Sequence, residues 1–278
     1  MNLIRKNKIW LILVIPCLLL ILVFFSALFR PRLLAPAESD PVPQALPEET
    51  PAPQKKPTSY SATYFLRGKN RGICKSLTGR VLLNFYLVSD GDCIWTEEAV
   101  AEFKRTTEDA VYYLKYDASR YNVPLDVTLN FVPCTMEELM ARDAHEDAIP
   151  ALLNSLGYES KYDAPAALAE EFGVDSVGLL FCFNRAERSH AYLVLSENGF
   201  EYAILYGSTE DFRHELFHLY GACDLYTPED VHTVAKKYLT DSIMIRSSSP
   251  IIDSLNAYNV GWTDELDEHA KGFLEAIQ

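Results

Sequence analysis

The sequence predicts a mixed α/β (α+β) domain, in which a twisted mixed sheet carries one long helix and is followed by a small, mainly helical C-terminal part. Three observations predict it. Residues 80–132 read strand, long helix, strand, the unit that pairs its strands in parallel. A short apolar run at 176–183 precedes two strand-like segments around Glu197-Asn198-Gly199, which make the sheet mixed. From Thr209 onward the apolar residues recur at helical rather than alternating spacing.

Ahead of that domain, residues 1–8 carry Arg5, Lys6 and Lys8 and no acid, and Ile9 to Phe29 is a run of 21 residues without a charge. A helix of that length spans about 31 Å, enough to cross a bilayer core. The run exceeds the roughly 7–15 apolar residues of a cleaved signal peptide. Residues 1–30 are therefore expected to be a cytoplasmic stub and an uncleaved signal anchor, with the basic flank inside. Pro31 to Pro57 holds eight prolines in 27 residues and no apolar periodicity, so residues 31–59 read as a semi-rigid tether. The expected placement is single-pass in the cell membrane, with the domain at 60–278 extracytoplasmic and large enough for one substantial core.

Within the domain, Arg80 to Ser89 is β-rich and ends in a turn at Asp90-Gly91-Asp92. Thr96 caps a helix whose first turn holds Glu97 and Glu98, and Val100, Phe103, Ala110, Tyr113 and Leu114 mark its apolar positions up to about Arg120. Leu125 to Val132 alternates as a second strand. Residues 136–172 read as helical, with Pro150 and Gly157 as breaks. Ser176 to Phe183 is largely apolar, and a central position would explain why it does not alternate. Ala191 to Leu195 and Glu201 to Leu205 form the hairpin-like pair. Thr209 opens the next helix, Pro228 begins another that runs to about Leu239, and Ile251, Ile252, Leu255, Tyr258 and Trp262 recur at helical spacing.

The first 32 residues hold five of the 25 basic residues and no acid, so the remainder carries 20 bases against 39 acids, a formal charge of −19. That balance excludes nucleic acid and anionic membrane surface as partners, since both need a basic face. Five cysteines follow the apolar run: Cys74, Cys93, Cys134, Cys182 and Cys223. On proximity, Cys74 with Cys93 is the first disulfide expected, and their spacings match no zinc finger. The chain has no Ser-His-Asp or Cys-His motif and no glycine-rich phosphate loop.

Chemistry concentrates at His214-Glu215-x-x-His218-x-x-Gly221-x-x-Asp224. Four residues apart on a helix, His214 and His218 stand one turn above the other and can share one metal ion. Glu215, one position round from His214, is placed to take a proton from metal-bound water. Gly221 can adopt a left-handed conformation, end the helix and turn the chain back, so that Asp224 offers the third ligand that catalytic zinc requires. An acid on the following helix, Glu229 or Asp230, is the alternative third ligand of a gluzincin-like arrangement. Cys223, beside Asp224, reads as a packed side chain, and Tyr220 and Tyr226 as packing or hydrogen-bonding neighbours. Of the other histidines, His145, His190, His232 and His269, only His190 is a candidate to face a cleft, as a transition-state donor.

This extended motif resembles the metzincin zinc peptidases, in the form, as in snapalysin, where aspartate replaces the last histidine. The resemblance covers about His214 to Trp262. It implies a metzincin-like zincin fold and a tight turn with a methionine beneath the metal, for which Asp241-Ser242-Ile243-Met244 is the candidate. It also implies an edge strand that binds the substrate backbone. The tyrosine that some members place two residues after the methionine is Arg246 here, a candidate for favouring a carboxylate-bearing residue. The expected function is that of a membrane-anchored zinc metalloendopeptidase. It would act on protein or peptide substrates, with His214, His218 and Asp224 on the metal and Glu215 as general base. The competing expectation is a membrane-tethered binding module whose zinc is structural or whose site is inactive.

Overall fold

The computed structural model describes residues 60–91, 93–137, 140–141, 144–196, 198–207 and 209–278; the expected anchor at 1–30 and tether at 31–59 lie outside the described residues. Among the described residues no helix is long and apolar enough to cross a membrane. In chain order the elements are α1 (Ala62–Phe65), β1 (Gly79–Asp90), α2 (Glu97–Arg120), β2 (Leu125–Met136), α3 (His145–Ser155), α4 (Asp163–Phe172), β3 (Ser176–Phe183), β4 (His190–Tyr192), β5 (Tyr202–Tyr206), α5 (Phe212–Leu219), α6 (Glu229–Tyr238), α7 (Ser254–Asn259) and α8 (Glu268–Ile277).

The five strands form one mixed sheet in the order β2-β1-β3-β5-β4. β1 pairs in parallel with β2, Gly79 opposite Leu125, and with β3, Val81 opposite Ser176. β3 pairs in parallel with β5, and β4 closes the edge antiparallel, Ala191 opposite Ala203. Every residue from Val81 to Val88 is buried, because the pleat sends alternate side chains into two different cores. Val81, Leu83, Phe85 and Leu87 join Phe103, Val111 and Leu114 of α2 and the buried faces of α5 to α8. Leu82, Tyr86 and Val88 join Ile149, Leu152 and Leu153 of α3 and Ala164 and Leu168 of α4. Helices therefore cover both faces of the sheet.

Side-chain caps start three of the described helices, α2, α7 and α8. The Thr96 hydroxyl accepts a bond from the Ala99 N–H at 3.2 Å, capping α2 as its sequence position implies. Several expectations are corrected. Tyr113 points outward from α2, exposed beside Tyr112 and Tyr116, and Val111 and Ala118 complete the buried stripe in its place. Pro150 lies inside α3 and does not break it; the helix ends at Ser155, before Gly157 at φ +96°. The outer strand pair is shorter than expected, with only His190–Tyr192 paired in β4. Of the helically spaced residues at 251–262, only those within Ser254–Asn259 are helical; Ile251 instead bridges to Ser242 beside the methionine turn. Cys74 and Cys93 are both free, as are Cys134, Cys182 and Cys223. Cys74 is buried with its thiol on the Val177 carbonyl, 3.3 Å away, where no partner cysteine reaches it.

Candidate metal centre

Helix α5 opens at Phe212, three residues later than Thr209; Thr209 to Asp211 form a preceding turn in which the Phe212 N–H donates to the Thr209 carbonyl at 3.1 Å. Phe212, Leu216 and Leu219 are fully buried and seat the helix on the sheet. That leaves His214, Glu215 and His218 facing a cleft of about 610 Å³. The two imidazoles are 4.8 Å apart between ring centres and nearly perpendicular, at 87°.

The turn after α5 is what brings the third acid back. The Gly221 N–H donates to the His218 carbonyl at 2.9 Å and the Ala222 N–H to the Phe217 carbonyl at 3.0 Å, the pair of bonds that ends a helix with a left-handed residue. Gly221 takes that conformation at φ +97°. A side chain there would also meet the Gly68 carbonyl, since a Cβ would lie 2.4 Å from it. Glycine is therefore required twice. Beyond the turn, the Cys223 N–H is held by Asn256 Oδ1 at 2.8 Å, and Asn256 Nδ2 donates to Asp253 at 2.9 Å. This fixes the backbone on which Asp224 stands.

Asp224 Oδ1 lies 3.2 Å from His214 Nε2 and 3.1 Å from His218 Nε2, and the two Nε2 atoms are 3.2 Å apart. His214 Nδ1 contacts the Ile243 carbonyl and His218 Nδ1 the Ala222 carbonyl, each at 2.9 Å. A carbonyl only accepts, so both Nδ1 atoms carry hydrogen and, in the neutral rings, both Nε2 atoms carry lone pairs. Asp224 Oδ1 is buried with no aligned donor. Three lone-pair atoms thus converge at distances that repel unless positive charge lies among them. For tetrahedral zinc with bonds of about 2.0–2.1 Å, ligand atoms sit about 3.3 Å apart. The donor set and its spacing fit one such ion, and this is the one group of metal-ligating side chains among the described residues.

The electrostatics follow from the same geometry. Burial disfavours charge on Asp224, yet without a metal, once the imidazoles take up protons at Nε2, their hydrogen bonds and charge outweigh burial and hold the carboxyl well below the usual range. Burial also opposes a proton on His218, but Asp224 raises its imidazole above the ordinary value. Glu215, 6 % exposed, has its carboxyl raised by burial against the opposing pull of His218 and His214. The result is a carboxylate with more than ordinary proton affinity beside three metal donors.

The segment around Met244 forms a turn beside His214. Met244 is fully buried, its carbonyl accepts the Leu225 N–H at 2.9 Å, and its neighbour Ile243 holds His214. The turn closes through the Ile245 N–H on the Ser242 carbonyl at 3.1 Å. Ser242 in turn bonds Asp253 through its hydroxyl. His190, Arg246 and Tyr226 all border the cleft. The Tyr226 hydroxyl accepts a bond from Arg188 at 2.7 Å, and burial first, then Asp224, pushes the phenol up to about 12.

Other candidates are not brought together with the histidines. Glu229 and Asp230 are exposed on α6, Glu229 3.9 Å from His232 and Asp230 on the Val231 N–H at 2.9 Å. Tyr220 is fully buried in the core with its hydroxyl 2.7 Å from Ser176 Oγ. Cys223 borders the cleft but stands outside the donor set, its thiol pushed up to about 12 chiefly by burial. Three supporting residues carry no local signal in the sequence: Asn256, Asp253 and Asp117, which pairs with Arg213 at 2.8 Å. No family model matches this chain, and no curated protein matches it.

Proposed function

We propose that the protein is a zinc-dependent endopeptidase of the metzincin-like kind, with His214, His218 and Asp224 as metal ligands, Glu215 as general base, and its N-terminal segment as membrane anchor. One observation carries the reading: three lone-pair atoms converge within 3.2 Å of one another, directly beside a buried carboxylate that none of them needs as a ligand. A structural zinc site closes with a fourth protein ligand and has no use for such a base.

A zinc ion bound by these residues would supply a Lewis acid that polarises a peptide carbonyl and acidifies a water near neutral pH. The chain does the rest. The two backbone carbonyls at Nδ1 orient the imidazoles, and the Gly221 turn holds Asp224 against them. Glu215 accepts a proton from the attacking water and delivers it to the leaving amine, and its raised proton affinity suits both halves of that task. Strand β4 stands at the sheet edge, and His190, Ala191 and Leu193 border the cleft, which suits pairing with an extended peptide.

The test uses the full chain solubilised in detergent, with metal counted by elemental analysis and hydrolysis followed on quenched fluorescent peptides. Wild type is expected to hold about one zinc per chain, Asp224→Ala to lose it while remaining folded, and Glu215→Gln to keep it and lose hydrolysis. Full zinc in Asp224→Ala, or undiminished hydrolysis by Glu215→Gln, overturns the assignment. Zinc without hydrolysis of any peptide returns the protein to the binding-module reading.

A further inference from the structure

Arginine side chains from three separate segments border the cleft: Arg67 from the N-terminal segment, Arg188 from the residues before β4, and Arg246 from just after the methionine turn. All three are exposed. Elsewhere in this acidic domain eight basic residues find carboxylates, whereas Arg71, Lys75, Lys104, Lys161, Lys236 and Lys237 make no ion pair among the described residues and lie outside the cleft. Lys69, Arg80, Arg105, Lys115, Arg120, Arg185, Arg213 and Lys271 each make an ion pair. Among the described residues the three cleft arginines make none.

They are nonetheless held in place, by groups that leave their charge available. The Arg67 guanidinium lies 3.5 Å above the ring of Tyr64, and Tyr64 itself borders the cleft. Arg188 donates to the Tyr226 hydroxyl at 2.7 Å, with its guanidinium carbon 5.6 Å from that ring. Arg246 is anchored through its backbone, the N–H on the Ser242 carbonyl at 3.2 Å and the carbonyl on the Ser249 N–H at 2.8 Å. The acids that border the same cleft are Asp211, Glu215 and Asp224, and the last two are engaged at the metal centre. Guanidinium is the cation best shaped to take a carboxylate through two parallel bonds.

From these observations we infer that the cleft selects peptides carrying acidic side chains near the bond presented to the centre, with Arg67, Arg188 and Arg246 as the groups that read them. The inference rests on the cleft being the peptide-binding site proposed above.

It is tested by binding rather than by turnover. Two fluorescent peptides of one length, with Glu or with Gln at the positions flanking the central bond, are titrated by anisotropy against full-length, zinc-loaded Glu215→Gln. The Glu peptide is expected to bind about tenfold more tightly, the order for one or two charge-assisted pairs at an accessible site. Arg67→Glu, Arg188→Glu and Arg246→Glu, each checked for an unchanged melting temperature, are each expected to reduce that ratio, and Arg246→Lys to keep part of it. Equal affinity for the two peptides, or a ratio untouched by every charge reversal, overturns the inference. With Glu215 intact, cleavage of both peptides at equal kcat/KM and equal affinity sinks the selectivity and leaves the peptidase standing. A binding preference without cleavage of either peptide sinks the peptidase and leaves the selectivity standing.

Discussion

Arg213 and His214 are adjacent on one helix and belong to two different buried charged clusters. Arg213 turns to Asp117 of α2 at 2.8 Å and to the Pro250 carbonyl at 2.8 Å, so its charge is met by an opposite charge and an acceptor. His214 turns to His218 and Asp224, where the atoms that meet are all electron-rich. Their carboxylates respond in opposite directions. Burial raises the Asp117 carboxyl above its usual value despite Arg213 and Arg120. The Asp224 carboxyl is also opposed by burial, yet the two imidazoles, once protonated, hold it far below. A structural ion pair closes on itself, whereas the second cluster, while its imidazoles are neutral, is left needing positive charge. That difference separates an anchor from a site.

The comparison is broken most directly at Glu215, which serves only the second cluster. Glu215→Gln is expected to lower kcat by about 10²–10⁴-fold, with zinc content and unfolding midpoint near wild type. Next in size is the anchor. Asp117→Ala leaves Arg213 buried without its partner and is expected to cost roughly 3–5 kcal/mol in denaturant unfolding, while the folded fraction keeps its zinc and its activity per bound metal. Replacing both, as Asp117→Leu with Arg213→Met, should recover most of that loss, since a buried pair and a well-packed apolar pair differ little. A variant of the anchor that lost zinc while folded would mean that the two clusters are one.

Metal removal should sharpen the contrast further. A ligand at about a thousand times its Kd stabilises by roughly 4 kcal/mol, which for a domain of this size is on the order of 8–16 °C in Tm. Chelation is expected to lower the Tm of wild type by that order and of Asp117→Ala by the same amount from its lower baseline. Asp224→Ala should show almost no change. Equal chelator shifts in wild type and Asp224→Ala would place the metal elsewhere.

The two clusters also differ in how far the sequence discloses them. His214, Glu215, His218, Gly221 and Asp224 fall within eleven residues on a helix and its closing turn, so spacing alone sets their geometry. The parallel strands were legible too, because a capped helix between two β-rich runs leaves one simple arrangement. Asp117 and Arg213 are 96 positions apart, and nothing in either local pattern distinguishes a buried acid from a solvated one on a charged helix. Asn256, 33 positions from the backbone it holds, was hidden for the same reason. The late start of α5 and the unbroken helix through Pro150 show tertiary packing overriding local punctuation. Cys74 and Cys93 suggested a disulfide by proximity in sequence, but the fold buries one thiol against Val177.

The smallest effect tests whether the second cluster truly lacks positive charge of its own. In the chelated chain, the folded state depresses the Asp224 carboxyl and raises the His218 imidazole. A carboxyl depressed on folding contributes stability above its unfolded value, about 3.9, and loses it as pH falls through the folded value. An imidazole raised on folding contributes fully below its unfolded value, about 6.5, and loses that contribution as pH rises through the folded value. The pair therefore stabilises the chelated chain from about pH 4 to 6.5 and fades above that range. Zinc needs the imidazoles unprotonated, so the stabilisation it brings grows over the same rise in pH. The melting temperatures of the chelated and zinc-loaded chains should thus diverge by a few degrees between about pH 6 and 8, and in Asp224→Asn the divergence should be nearly absent. If chelated wild type and chelated Asp224→Asn instead follow the same pH curve, the carboxylate is not what the two histidines face, and the contrast with the Arg213 anchor fails.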